Sequence, residues 1–223
     1  MPTLPALRDA VPNPSATCSD AYARGVTSVL VVVVVLLAYA LGTFPTAVLV
    51  GRRLGFDPTT SGSGNPGASN TTRIGGAKAG ALVLLGDAGK GALAAGIGYL
   101  AGGRTLAWVA AAAAVAGHLW PVTRGLRGGK GVATAAGASL VCAPVACVIS
   151  GVVFAVLVKL TGKAAIGSIV IAVLLPVLVA LLGQRMVDVA IAAAIGAVIV
   201  VRHRSNIARL LEGSETAVRS DRP

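Results

Sequence analysis

The sequence predicts an all-α, polytopic integral membrane protein with seven transmembrane helices. Three observations carry this prediction. Hydrophobic residues make up 55% of the 223-residue chain, charged residues only 12%, and mean hydropathy is +0.83, outside the composition of soluble globular domains. Apolar runs of about 18 residues or more recur, each long enough to cross roughly 30 Å of hydrocarbon as a helix. None shows the in-out alternation that a membrane barrel strand requires. The 29 glycines suit close helix–helix approach in a bilayer.

The first 25 residues are polar and carry four prolines among the first 24, so they read as a flexible external tail. Arg24 ahead of an apolar run resembles a signal peptide's layout. The run is too long for a signal core and lacks a clear small-residue cleavage site, so it is taken as the first span. The spans are 26–50, 78–101, 105–121, 131–145, 147–161, 165–183 and 186–202. The fourth and fifth are separated at Pro144 in "LVCAPVACV", since proline disrupts a continuous helix. The membrane domain is 26–215, and 216–223 form a short tail.

Seven crossings put the termini on opposite sides, and charge chooses between the two orientations. Fourteen of the 19 lysines and arginines fall on one side, including Arg52, Arg53, Arg73, Lys130, Arg202 and Arg204. The positive-inside rule makes that side cytoplasmic and the N-terminus external. The same rule accounts for the formal charge of +11 without invoking nucleic acid. Three cysteines without CxxC spacing and two distant histidines indicate neither a disulfide framework nor a metal site.

This orientation collects the polar segments 61–76, 117–134, 163–168 and 202–215 at the cytoplasmic face. "GSGNPGASNTTRIGG" (62–76) contains no Leu, Val, Phe or Met between two greasy runs, and it is suited to wrapping a ligand. In "GHLWPVTRGLRGGKGVAT" (117–134), Gly128, Gly129 and Gly131 surround Lys130 just before a helix. Glycines that turn backbone N–H groups inward, a helix N-terminus and a full charge together suit a phosphate. The spacing is not that of a Walker A loop. In "VRHRSNIARLLEGSE" (201–215), His203 and Asn206 share a helix face, and Arg202 and Arg204 add charge that an anionic substrate would meet. Imidazole can also accept a proton near neutral pH. Asp87 and Lys90, three apart within the second span, read as a mutual pair that holds the bundle. His118 closes the third span, where it caps or orients the glycine-rich loop.

Together these three long segments resemble the acyl-phosphate:glycerol-3-phosphate acyltransferases, small bacterial membrane enzymes, over residues 29–215. The resemblance implies seven spans with an external N-terminus and a cytoplasmic C-terminus, in the bacterial inner membrane. It also implies transfer of a fatty acyl group from acyl phosphate to the sn-1 hydroxyl of glycerol 3-phosphate. The products are lysophosphatidic acid and phosphate, in the first step of phospholipid synthesis. The family's key serine and arginine fall on Ser63 and Arg73, and its glycerol 3-phosphate loop falls on Gly128–Gly131 with Lys130. Its histidine and asparagine fall on His203 and Asn206, and its trailing glutamate falls on Glu215, assigned a structural role. Where the family carries a tyrosine and a serine-rich patch, this chain has "KAAIGS" (163–168), keeping only Ser168. A divergent, less active paralogue is therefore one alternative, and the N-terminal tail is longer than usual.

Two phosphates at one site explain the cationic surplus. Arg73, Lys130 and the backbone N–H groups of both glycine-rich segments (Gly64 and Gly67; Gly128, Gly129 and Gly131) are expected to hold them. Ser63, Asn65 and Asn70 are expected to orient them or the acyl carbonyl, with Ser168 as a further substrate contact. Acyl phosphate is already activated, so no acyl-enzyme is needed. The base is either His203 or a substrate phosphate oxygen. Side chains supply the positive charge, so no metal or cofactor is expected, and the protein is read as a monomer. A membrane transporter or sensor of phosphorylated metabolites is the alternative from another class.

Overall fold

In the computed structural model of the protein, residues 14–218 are described, with side chains from residue 27. All regular structure among them is helical. The described residues up to Val33 fall in one unit and those from Val34 onward in another; the site lies wholly in the second. Residues 1–13 of the expected tail and residues 219–223 lie outside the described residues.

Helix α1 is Pro14–Gly42 and α2 is Thr46–Arg53, where the sequence suggests one span over 26–50. The interruption at 43–45 has a local cause. Pro45 cannot donate a helical hydrogen bond, and a Cβ built on Gly42 would lie 2.1 Å from the carbonyl oxygen of Ala114, so the backbone passes close against the helix that carries Ala114 there.

Helix α3 covers Ala68–Leu119 with non-helical backbone at Gly76 (φ 82°) and at Gly102–Gly103 (φ of Gly103 74°). These left-handed values are open to glycine and costly to other residues. The breaks divide α3 into 68–75, 77–101 and 104–119. The polar stretch 61–76 is thus half loop and half helix, placing Asn70 and Arg73 one turn apart. Helix α4 is Val132–Cys142 and α5 is Pro144–Thr161, with Pro144 in the first turn of α5, where its missing N–H costs nothing. At 11 residues, α4 is about 16 Å long, too short to cross a bilayer unaided. Helices α6 (Ala164–Leu181), α7 (Met186–Arg202) and α8 (Arg204–Leu211) follow.

Among the described residues, four helices are long and apolar enough to cross a membrane, or five if the α7–α8 pair, bent by 55°, is one span. Small residues let these helices approach: a Cβ on Gly137 would meet the Ala88 carbonyl oxygen at 1.9 Å, and one on Gly91 the Thr134 oxygen at 2.0 Å. This is how α4 packs along α3, and it matches the small-residue logic of bilayer interfaces. Trp108, Val115, Leu119, Ala138, Cys142, Val179 and Ile195 build the interior. Leu36, Leu85, Leu100, Leu160 and Leu181 are exposed on the outside, as a lipid solvent allows.

Candidate active site

The site is built where the end of α3, the glycine-rich loop 125–131 and the α7–α8 corner meet. The last turn of α3 fixes the loop first. Gly128 N–H donates to the Leu119 carbonyl (3.1 Å) and Gly129 N–H to the His118 carbonyl (3.1 Å). Neither glycine tolerates a Cβ, which would lie 2.0 Å from the His118 oxygen at Gly128 and 2.2 Å from His118 Nε2 at Gly129. The expectation that these two N–H groups face a phosphate therefore needs correction: both are committed to carbonyls. Lys130, Gly131 and the first turn of α4 supply the remaining loop donors.

Lys130 Nζ donates to Asn206 Oδ1. The other half of that amide, Nδ2, donates to Glu215 Oε1 at 2.6 Å, and Arg209 Nε donates to Glu215 Oε2 at 2.7 Å. Asn206 and Glu215 are both buried. Arg73 reaches the same group from the first motif: its Nε donates to the carbonyl of Ala217 at 3.0 Å, and its charge acts on that of Glu215, Arg209 and Lys130. The segment after α8 is tied down on its far side by a 2.8 Å bond from Val218 N–H to the Gly162 carbonyl, next to the "KAAIGS" segment. Ala165 and Ser168 of that segment are buried.

His203 sits at the α7–α8 corner, just past the last apolar helix, and is buried. Its Nδ1 lies 2.8 Å from the Ile199 carbonyl, which can only accept, so Nδ1 carries the proton and Nε2 keeps a lone pair. Burial lowers its pKa from the ordinary 6.5 to about 4, with the positive charge of Lys130 adding to the effect. The imidazole is neutral at pH 7. Lys130 is lowered from 10.5 to about 8, again mainly by burial, with Arg209, Arg73 and Arg202 adding and Glu215 opposing. Burial outweighs the attraction of the Glu215 carboxylate.

The first motif divides into positioning and exposed parts. Asn70 is 1% exposed; its Oδ1 accepts from Ser63 N–H (2.9 Å), and its Nδ2 donates to the carbonyls of Pro58 and Ser61 (both 3.0 Å). Its amide is thus spent on shaping the loop before α3. Ser63 and Gly64 are exposed on that loop, and Asn65 and Gly67 are half-buried. Among the described residues no hydrogen bond joins Ser63 to Lys130, His203 or Asn206.

A second polar group lies nearby. Lys90 Nζ is 2.9 Å from Asp87 Oδ1 and donates to the Phe44 carbonyl at 3.1 Å, while His118 Nδ1 is 3.6 Å from Asp87 Oδ1. One participant, Arg209, was not singled out from the sequence, and a second, Arg202, was expected to meet an anionic substrate. Arg209 holds Glu215, and Arg202 is turned onto the loop instead of facing a ligand: its Nε and Nη2 donate to the carbonyls of Gly128 and Gly129 at 3.0–3.3 Å. An arginine six residues before the trailing glutamate was the available signal for the first. For the second, the charge was legible in the sequence but its contact with the loop carbonyls was not.

Residues 32–213 match the family model described as glycerol-3-phosphate acyltransferase. Proteins of that name from Clostridioides difficile (37% identical, 84% of this chain and 95% of that protein) and Shewanella oneidensis (40%, 87% and 96%) are similar over nearly their whole length. A crystal structure of PlsY, an integral membrane glycerol 3-phosphate acyltransferase in its glycerol 3-phosphate form, superposes with a TM-score of 0.81 at 34% identity, covering 84% of this chain and 94% of that one. The lysophosphatidic acid form gives 0.79 at 33% identity over the same shares. This chain belongs to the glycerol-3-phosphate acyltransferase family of integral membrane enzymes.

Proposed function

We propose that the chain transfers a fatty acyl group from acyl phosphate to the sn-1 hydroxyl of glycerol 3-phosphate, releasing lysophosphatidic acid and phosphate. It does so at the cytoplasmic face of the bacterial inner membrane, as a monomer with seven crossings and an external N-terminus. The observation that carries the reading is the charge imbalance around Lys130. Arg73, Lys130 and Arg209 surround the single carboxylate of Glu215, a surplus that an anionic substrate would neutralise.

In this reading Lys130 and Arg73 grip the phosphate groups, with N–H groups of the loop and of the first turn of α4 as further donors. Ser63 and Asn65, held on the loop that Asn70 shapes, contact the donor phosphate or the acyl carbonyl, whose oxygen gains charge as the hydroxyl attacks. Asn206 orients Lys130. Neutral His203 positions the acceptor, and the proton of its hydroxyl passes to a phosphate oxygen of a substrate. A group with a pKa of about 4 is a weaker base near neutrality than a phosphate monoester, whose second pKa is about 6. The hydroxyls missing from "KAAIGS", which keeps only Ser168, bear on the rate or on acyl-donor preference.

The test uses the full chain in detergent or lipidic mesophase with glycerol 3-phosphate and palmitoyl phosphate, following phosphate and lysophosphatidic acid together. Palmitoyl-CoA and palmitoyl-acyl carrier protein serve as control donors. Turnover with acyl phosphate alone supports the proposal. Turnover with another donor overturns the donor assignment, and none in folded protein favours the divergent paralogue or a binding protein.

A further inference from the structure

We infer that Arg202 is a positioning residue for the reaction, holding the carbonyl edge of the Gly128–Gly129 segment so that Lys130 presents its charge to the acceptor phosphate. The inference rests on the acyl-transfer reading above and assigns a role that the family's motif does not mark out.

The geometry is two-sided. On one edge of the segment, the N–H groups of Gly128 and Gly129 are taken by the Leu119 and His118 carbonyls. On the other edge, Arg202 Nη2 donates to the Gly128 carbonyl at 3.1 Å and to the Gly129 carbonyl at 3.0 Å, while Nε donates to Gly129 at 3.3 Å. Four residues on, Asn206 accepts from the Lys130 ammonium. One helix corner therefore fixes both the peptide units that precede Lys130 and the end of its side chain. The planar guanidinium suits this task, because its donors are set in a rigid fork that a lysine lacks.

The arrangement also has an electrostatic purpose. Two adjacent carbonyl oxygens next to a phosphate site would repel the phosphate, and glycines have the backbone freedom to swing them there. Arg202 holds them aside and offsets their partial charge. It is also among the cations that keep the Lys130 pKa down, with Arg73 and Arg209, against Glu215; the other neighbours, His203 and Asn206, are neutral.

The experiment compares wild type, Arg202→Lys and Arg202→Gln as full chains in detergent. The readouts are kcat and KM for both substrates between pH 6 and 9.5, Kd for glycerol 3-phosphate by calorimetry, and thermal unfolding. Arg202→Lys keeps the charge and loses the fork. It should lower kcat/KM for glycerol 3-phosphate by roughly 10–100-fold, the scale of a small misplacement, while KM for palmitoyl phosphate changes less than about 3-fold. Arg202→Gln should show the same loss and move the alkaline limb to higher pH, because one cation has left the surroundings of Lys130.

If Arg202→Lys matches wild type per folded molecule, Arg202 is only a helix-end staple and the inference falls. If Arg202→Gln does not fold, Arg202→Lys decides alone. If wild type binds glycerol 3-phosphate without turnover, the acyl-transfer reading fails, and the ratio of Kd values still judges Arg202: a tenfold weakening supports it and equality overturns it. If wild type binds no glycerol 3-phosphate at all, both fall.

Discussion

Two polar clusters in this chain draw on the same residue types, a lysine, a histidine and a carboxylate, and end in opposite states. In the first, Lys90, Asp87 and His118 lie together in the α3 bundle, and the ammonium meets its carboxylate directly at 2.9 Å. A backbone carbonyl takes a further donor from Lys90, and the pair is closed. In the second, the carboxylate of Glu215 is claimed by Asn206 and Arg209, so Lys130 is left with a neutral amide oxygen. The first arrangement spends its charges on holding helices together. The second keeps a cation only partly satisfied, which is what a site awaiting an anion requires.

The largest effect should come from breaking the closed cluster. Asp87→Asn leaves Lys90 buried without its counter-charge, and removing one partner of a buried pair costs about 3–5 kcal/mol. Thermal unfolding in detergent should show a large drop, and the double change Asp87→Asn with Lys90→Met should recover part of it. A single variant that melts like wild type would mean that this pair does not hold the bundle.

Next comes the open cluster, where the opposite pattern is expected. Lys130→Met removes a charge that no carboxylate contacts and leaves only the buried Asn206 oxygen unpaired, so stability should fall by about 1–3 kcal/mol, less than in Asp87→Asn. Activity should fall, by about 10²–10³-fold in kcat/KM, the cost of losing one charged donor at a developing or transferred anion. If stability drops as far as in Asp87→Asn and the residual folded fraction turns over normally, the contrast between the two clusters is wrong.

This contrast was only partly legible in the sequence. The apolar runs marked the helices because a lipid solvent demands long uninterrupted stretches, and Pro144 marked a boundary because it lacks a donor. The short helix 68–75 was hidden, since its residues are small and polar and its start is fixed by contacts instead of periodicity. Asp87 and Lys90 were readable as partners because they are three residues apart. The pairings that shape the second cluster are not local: Arg73 meets a carbonyl 144 residues later, and Lys130 meets Asn206 76 residues later. Arg202 shows the limit best. Sequence marks it as a cation near a phosphate site, but only the fold turns it onto two backbone carbonyls. Asn70 likewise reads as a ligand-binding amide until its three hydrogen bonds are seen to shape its own loop.

The smallest effect sharpens the comparison at the histidines. Lys130 acts as a cation, so kcat/KM should be level below its pKa of about 8 and fall up to tenfold per pH unit above it. In the kcat profile that limb should lie higher, because a bound phosphate favours the charged lysine. On the acid side, His203 as base would place the free-enzyme limb near its own pKa of about 4, whereas a substrate phosphate places it near 6. His203→Gln should therefore keep the limb near 6 and lose less than about tenfold in kcat, with a raised KM for glycerol 3-phosphate. A loss of 10²–10⁴-fold with disappearance of the acid limb would instead make His203 the base. In that case the substrate would have to displace the imidazole's buried environment enough to raise its pKa, and the second cluster would be completed chemically, as well as electrostatically, only when the substrate is bound.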